Sequence, residues 1–335
     1  ILSGVFFDQL QLPEPHYNLG VGSGTHTTQT AQMMLGLEGV LQRERPNFLL
    51  VYGDTNSTLA AALVGAKEGI PVVHVEAGLR SKNKTMPEEL NRIATDHCST
   101  YLFTPTQTGL ENLLSEGFLA NSSAPYHIDN PLVLHSGDVM LDNFQHYSKR
   151  LSQGPSVLET FHLKPDRYVL CTIHRAENTD DLDRLAAIFQ LLVELAAETS
   201  LHIALPLHPR TRKMLSQLPD ELQHSVRQSP YVALLEPVTY LEMLELERFS
   251  KFVVTYSGGV QKEAYFSNKP CLLLREETEW VEIVEAGMAF LVGHRADALR
   301  HHWHALATAS SLPSPLHLFA NGNAARTILS ALQSH

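Results

Sequence analysis

The chain has 335 residues, 36 of them acidic and 25 basic, for a formal net charge of −11. That length predicts two domains, each able to bury a core, and the acidic balance argues against nonspecific binding to nucleic acid or an anionic membrane. Three widely spaced cysteines, Cys98, Cys171 and Cys271, argue against a disulfide framework or a cysteine metal site and point to the cytoplasm, and no apolar run reaches the roughly 18 residues of a membrane span.

Strand-like runs alternate with helical patterns along the whole chain, which predicts an α/β protein with parallel sheets. The first run, "FLLVYG" (48–53), enters Gly53, Asp54 and a Ser/Thr-rich helix start. Asp54 or Thr55 reads there as an N-cap, and Asp54 equally as a carboxylate at a strand end. The β-branched run "VVHVEA" (72–77) reads as an interior strand, and Glu76, Arg80, Glu88, Glu89 and Arg92 follow it closely. In open α/β sheets ligands sit outside the carboxyl ends of strands, so these charges fall where chemistry occurs; a solvated loop is the alternative. Asp54, Glu76 and Glu88 at neighbouring strand ends would shift one another's pKa, as acid/base chemistry requires. A third strand is expected at 101–106, and the segment His146–Arg167, with Gly154, Pro155 and Pro165 and no clear strand, reads as the link between domains.

Strands are then expected at 168–174, 202–208, 232–238, 252–257, 271–276 and 289–293. The first two end in "TIHRAEN" and "LPLHPRTRK". His174 and Arg175 suit a diphosphate or a buttressed loop, and His208, Arg210, Arg212 and Lys213 suit a ligand or a solvated basic face. "YSGGVQKEA" carries a strand into Ser257, Gly258, Gly259 and a helix. Free N–H groups and the positive helix end suit phosphate, and Glu263 suits ribose hydroxyls, although two glycines can also serve a tight turn. No G-x-G-x-x-G or Walker lysine accompanies it. In "REETEWVEIVEAG", Thr278 reads as a cap and Trp280 as packing or a ligand contact. "HHWH" (301–304) has helical spacing and no carboxylate or cysteine partner at ligand spacing, so no metal is expected. The ending "ANGNAARTILSALQSH" reads as a helix from about Asn323, capped by Asn321 or Asn323.

Taken together, "GDTNST", "HVEAGLRS", "MPEELNR", "HRAEN", "SGGVQKEA" and "ETEWVE", in this order, resemble the non-hydrolysing UDP-N-acetylglucosamine 2-epimerase family from about Phe6 onward. The resemblance implies two Rossmann-like domains in a glycosyltransferase-B-like arrangement. Residues 1–150 would carry the sugar-side carboxylates, 151–318 would bind UDP, and 319–335 would form a helix packing back on the first domain. It implies inversion at C2 of a UDP-2-acetamido sugar by anti-elimination of UDP to a 2-acetamidoglucal and re-addition, with no metal, nicotinamide or other cofactor, in a cytoplasmic homodimer. Asp54, Glu76, Glu88 and His174 become the catalytic set. Arg92, Arg175, His208, Ser257, Gly258, Gly259, Glu263 and Trp280 become substrate-binding residues, with Ser257 and Gly258 at phosphate and Glu263 at ribose.

The wording departs from the family in two places. Trp280 stands where the UDP-N-acetylglucosamine enzymes carry arginine, which removes a cation beside the ligand; the surrounding motifs also resemble the UDP-2,3-diacetamido-2,3-dideoxyglucuronate 2-epimerase branch. The family's first strand, Arg-Pro turn, helix and second strand have no counterpart, so the chain is expected to be N-terminally truncated by about 40 residues. A UDP-sugar glycosyltransferase and a non-catalytic nucleotide-sugar sensor are the alternatives in other functional classes.

Overall fold

A computed structural model describes residues 10–151, 156–173, 182–207, 209–309 and 317–334. The chain divides into two units, Pro13–Asp142 with His317–His335, and Ile1–Leu12 with Asn143–Leu316. The division at Asp142/Asn143 precedes the expected end at 150. The segment read as a linker belongs instead to the second unit, where the buried Glu245 carboxylate accepts from the Ser156 hydroxyl (2.5 Å) and the Val157 N–H (3.1 Å).

The first unit runs α1 (His26–Glu44), β1 (Leu49–Tyr52), α2 (Asn56–Lys67), β2 (Val72–Val75), α3 (Pro87–His97), β3 (Tyr101–Thr104), α4 (Gln107–Ser115) and β4 (Leu132–His135), then enters α5 (Val139–Ser148), within which the division falls. The four strands are parallel and lie in chain order, and β2 and β3 are buried along their length. That two-sided burial is why both read as unbroken apolar runs. The short strand β4 was not among the expected elements. Thr25, Thr55 and Thr106 cap α1, α2 and α4 through side-chain oxygens. Thr55 is therefore the cap, and Asp54 is not.

The second unit contains α6 (Val157–Thr160), β5 (Tyr168–Thr172), α7 (Leu182–Thr199), β6 (His202–Pro206), α8 (Pro209–Leu215), α9 (Asp220–Gln228), β7 (Val232–Leu235), α10 (Tyr240–Phe249), β8 (Phe252–Thr255), α11 (Gly258–Phe266), β9 (Cys271–Leu273), α12 (Val281–Glu285), β10 (Ala289–Leu291) and α13 (Ala296–Thr308). Its parallel sheet has the order β10-β9-β8-β5-β6-β7, so the winding reverses between β5 and β8. Open α/β sheets bind ligands at such a reversal. The "HHWH" stretch lies in α13. Trp303 is buried edge-on to Phe252 and donates to Thr199 (3.1 Å), while His304 bonds Glu198 (3.0 Å).

The last helix, α14 (Ala324–Gln333), returns to the first unit, where Ile328 packs with Val73, Val75, Tyr101 and Phe103. Asn323 occupies its N-cap position without a side-chain cap bond; the Asp142 carboxylate accepts from the Ala324 and Ala325 N–H groups at 3.2 and 2.8 Å instead. An anion at a helix N-terminus serves the same orphan donors from another helix.

The approach of β2 to α4 rests on glycine. Gly78 has φ +79°, and a Cβ there would lie 2.2 Å from the Gly109 carbonyl oxygen. Gly78→Ala combines an unfavourable backbone with a clash against main chain, and is expected to cost about 2–4 kcal/mol. Urea unfolding followed by circular dichroism measures this, and an unchanged midpoint would refute it.

Candidate active site

Most of the charge that follows β2 is structural. Asp96, on α3, is fully buried and its carboxylate accepts from His74 Nδ1 (2.7 Å), the Gly78 N–H (3.2 Å) and Arg80 (2.8 Å). The other His74 ring nitrogen faces the Gly53 carbonyl (2.9 Å). Burial alone would raise the Asp96 carboxyl, but His74 and Arg80 together hold it below the usual carboxylate range. Arg80 also forms a fork with Glu116 (2.7 and 2.6 Å) and donates to the Leu79 carbonyl (2.7 Å). Its guanidinium ties the loop to α3 and to the end of α4, and a ligand role for it is not needed.

Glu89 is likewise committed. Its oxygens accept from the Ser81 N–H (2.8 Å), the Ser81 hydroxyl (3.0 Å), the Lys82 N–H (2.9 Å) and Arg92 (3.2 Å). The other arm of Arg92 donates to the Asp54 carboxylate at 2.5 Å, and Asn91 donates to the Asp54 carbonyl at 2.8 Å. Arg92 thus bridges Asp54 to Glu89. Glu76 follows β2 with φ +75°, a left-handed backbone held by bonds from its own N–H (3.1 Å) and that of Ala77 (3.0 Å) to the Phe103 carbonyl. A side-chain residue adopts that region at some cost, which the bonds to Phe103 offset here. Glu88, beside the committed Glu89, is half-buried and has no hydrogen-bond or ion-pair partner among the described residues. Arg92 and Asn91 therefore join the segment of Asp54 to the helix that carries Glu88, while Glu76 is tied to β3 through Phe103.

In the second unit, the Thr172 and Thr255 hydroxyls bond across the β5/β8 reversal (2.5 Å), and Thr255 also accepts from the Ser257 N–H (3.0 Å). Ser257 caps α11 by accepting from the Val260 N–H (3.3 Å), which leaves its own proton to donate outward. Gly258 is packed closely: a Cβ there would lie 2.6 Å from a Glu279 oxygen and 3.3 Å from Trp280 Nε1. Gly258 and Gly259 begin the helix and supply its N-terminal donors.

Of the two readings of Trp280, packing and ligand contact, its burial fits the packing one. It is 2% exposed, and the Lys262 ammonium stands 4.1 Å over its ring. Lys262 is itself 2% exposed, so a desolvated cation–π contact places positive charge beside the residue where the resemblance leads one to expect arginine. Sequence reasoning passed over Lys262 because a lysine in the first turns of a helix reads as a solvated residue. Thr278 accepts from the Trp280 N–H (3.1 Å) and donates to Gln261 (2.7 Å), pinning this segment to α11. His174, Arg175 and His208 lie outside the described residues.

Removing the Asp96 charge leaves the buried His74 without its anion and Arg80 with only Glu116, so Asp96→Asn is expected to destabilise by about 3–5 kcal/mol. The sign with pH follows from the depressed carboxyl. Its stabilisation is present above the ordinary aspartate value of about 3.9 and is lost as pH falls through the lower folded value. Denaturation from pH 7 to pH 2.5 should show the gap between wild type and variant closing below about pH 4.

The chain is similar to known proteins along most of its length. The family model for UDP-N-acetylglucosamine 2-epimerase matches residues 2–333. A "UDP-N-acetylglucosamine 2-epimerase homolog" of Methanococcus maripaludis is 41% identical over 331 residues, covering 98% of this chain and 87% of that protein. The UDP-2,3-diacetamido-2,3-dideoxy-D-glucuronate 2-epimerase of Pseudomonas aeruginosa is 43% identical over 298 residues, covering 89% and 78%. Among solved structures, the Methanocaldococcus jannaschii UDP-GlcNAc 2-epimerase in complex with UDP-GlcNAc and UDP has a TM-score of 0.87 at 38% identity, covering 99% of this chain and 88% of that one. The fold is α/β, with two Rossmann-like units of the glycosyltransferase-B-like kind. The chain belongs to the UDP-N-acetylglucosamine 2-epimerase family.

Proposed function

We propose that this chain is a non-hydrolysing UDP-2-acetamido sugar 2-epimerase that works by elimination and re-addition of UDP. A base takes the C2 proton, the C1–O bond to UDP breaks, and a 2-acetamidoglucal forms. A proton then returns to C2 from the opposite face and UDP re-adds at C1. The C2 hydrogen is not acidified by a carbonyl, so stabilising the departing diphosphate must supply the driving force.

The observation that carries this reading is the unequal state of the carboxylates at the strand ends: Glu89, Asp96 and Glu116 are committed to structural bonds, whereas Glu88 has no partner among the described residues. Proton transfer needs an uncommitted carboxyl on one face of the sugar; on the opposite face Asp54, paired with Arg92, would carry the proton. Glu76 completes the acid/base set, and His174 would assist the leaving group. Ser257 and the Gly258–Gly259 N–H groups would hold phosphate, and Glu263 the ribose. Arg175 and His208 belong to the same proposal as diphosphate contacts, as do a homodimer and a cytoplasmic location; among the described residues no helix is long and apolar enough to cross a membrane.

The sugar has two readings. UDP-N-acetylglucosamine is the substrate named for the Methanocaldococcus relative, and the 43% identity to the Pseudomonas enzyme favours the diacetamido uronate as the second. NMR in D2O with each substrate distinguishes them by deuterium at C2 and appearance of the manno isomer. Absence of exchange with both would overturn the epimerase reading. Glu88→Gln is expected to lower turnover by about 100-fold or more while UDP affinity stays within about threefold. Loss of affinity with undiminished turnover would instead place Glu88 in binding.

A further inference from the structure

A second carboxylate stands behind Glu263. Glu247, on α10, has no exposed surface, and neither of its oxygens has a hydrogen-bond partner among the described residues. Its nearest acidic influence is the Glu263 carboxyl on α11, 5% exposed, on which the Tyr240 hydroxyl at the start of α10 also acts. Two carboxylates without a proton only repel, whereas one shared proton makes a donor and an acceptor of them.

The surrounding groups sharpen this. Lys262 acts on Glu263, with its ammonium over Trp280. Glu247 is felt by Tyr240, by Tyr168, whose hydroxyl donates to the Leu246 carbonyl (2.6 Å), and by the buried Cys271 thiol. Tyr147 stands edge-on to Tyr240 at 5.7 Å, and Glu245 is bound to Ser156 and Val157. Burial first, then the Glu263 charge, drives the Glu247 carboxyl well above the ordinary range. Burial also raises Glu263, to about 7, against the lowering influence of Tyr240, Glu247 and Lys262.

We propose that Glu247 is a positioning residue for the nucleotide site: as a neutral acid it donates its proton to Glu263 and, with Tyr240, fixes that carboxylate as the acceptor for ribose hydroxyls. The proposal rests on the reading that Glu263 receives the ribose. In it Glu247 never touches the nucleotide and acts only through its neighbour.

The full chain and its Glu247→Gln, Glu247→Leu and Glu263→Ala variants test this by UDP titration calorimetry and by thermal unfolding between pH 5 and 8. An amide N–H replaces the proton, so Glu247→Gln should stay within about threefold of wild-type UDP affinity, whereas Glu247→Leu should lose about 10-fold or more. The pH signature is independent of folding losses in the leucine variant. A raised carboxyl stabilises fully below its unfolded value of about 4.3, and that stability is lost as pH rises toward the folded value. Glutamine abolishes this loss, so the Tm of Glu247→Gln minus that of wild type should grow by roughly 3 °C per pH unit. A difference that stays constant overturns the shared proton. If Glu263→Ala leaves UDP affinity unchanged, the ribose reading fails and the positioning role with it, while the Tm divergence still decides whether the pair holds a proton.

Discussion

The geometry of the first unit's strand ends depends on one buried anion, Asp96. Its carboxylate gathers β2 through His74, the turn beyond through the Gly78 N–H, and the loop through Arg80. An unpaired charge in an apolar interior costs several kcal/mol, so none of these segments can move away without stranding the others. Arg80 extends the constraint to Glu116, and the neighbouring Glu89 brace extends it through Arg92 to Asp54. The left-handed Glu76 is held inside this frame, where relaxation would break its paired bonds to Phe103. Strain at a single residue persists only when its surroundings determine it in this way.

The second unit solves the positioning problem with dipoles and hydroxyls. At the β5/β8 reversal, Thr172, Thr255 and Ser257 form a short chain of hydroxyl and N–H bonds that ends at the cap of α11. Such a chain fixes the helix N-terminus without placing a competing charge beside it. The positive charge nearby, Lys262, is recessed against Trp280, where burial strengthens its interaction with the ring face. Aromatic and cation together occupy the place for which the family resemblance led one to expect arginine.

The parallel sheets were legible because buried strands are unbroken apolar runs, and β2, β3, β5 and β8 all have that form. The strand β4 escaped notice because its burial is only partial and its apolar stretch, Leu132–Leu134, is short. The C-terminal helix was visible in its spacing, but its capping group was not, since Asp142 is remote in sequence. Charge at the end of β2 was also visible. What could not be read was how that charge divides between structure and chemistry, because the division depends on partners such as Asp96 and Glu116 that belong to other elements.

Glu88 and Glu89 show why that division escapes one-dimensional reading. Successive helical residues are rotated by about 100°, so two identical neighbours face different surroundings. Glu89 faces Ser81, Lys82 and, three residues on, Arg92. Glu88 bonds none of these and keeps its carboxyl uncommitted among the described residues. The same reasoning applies to Glu247. The alternating "LELE" of residues 244–247 suggests an exposed acidic face, yet all four are buried. Burial on that scale leaves a carboxyl two inexpensive states, pairing with a cation or keeping a proton, and the group facing Glu247 is another acid.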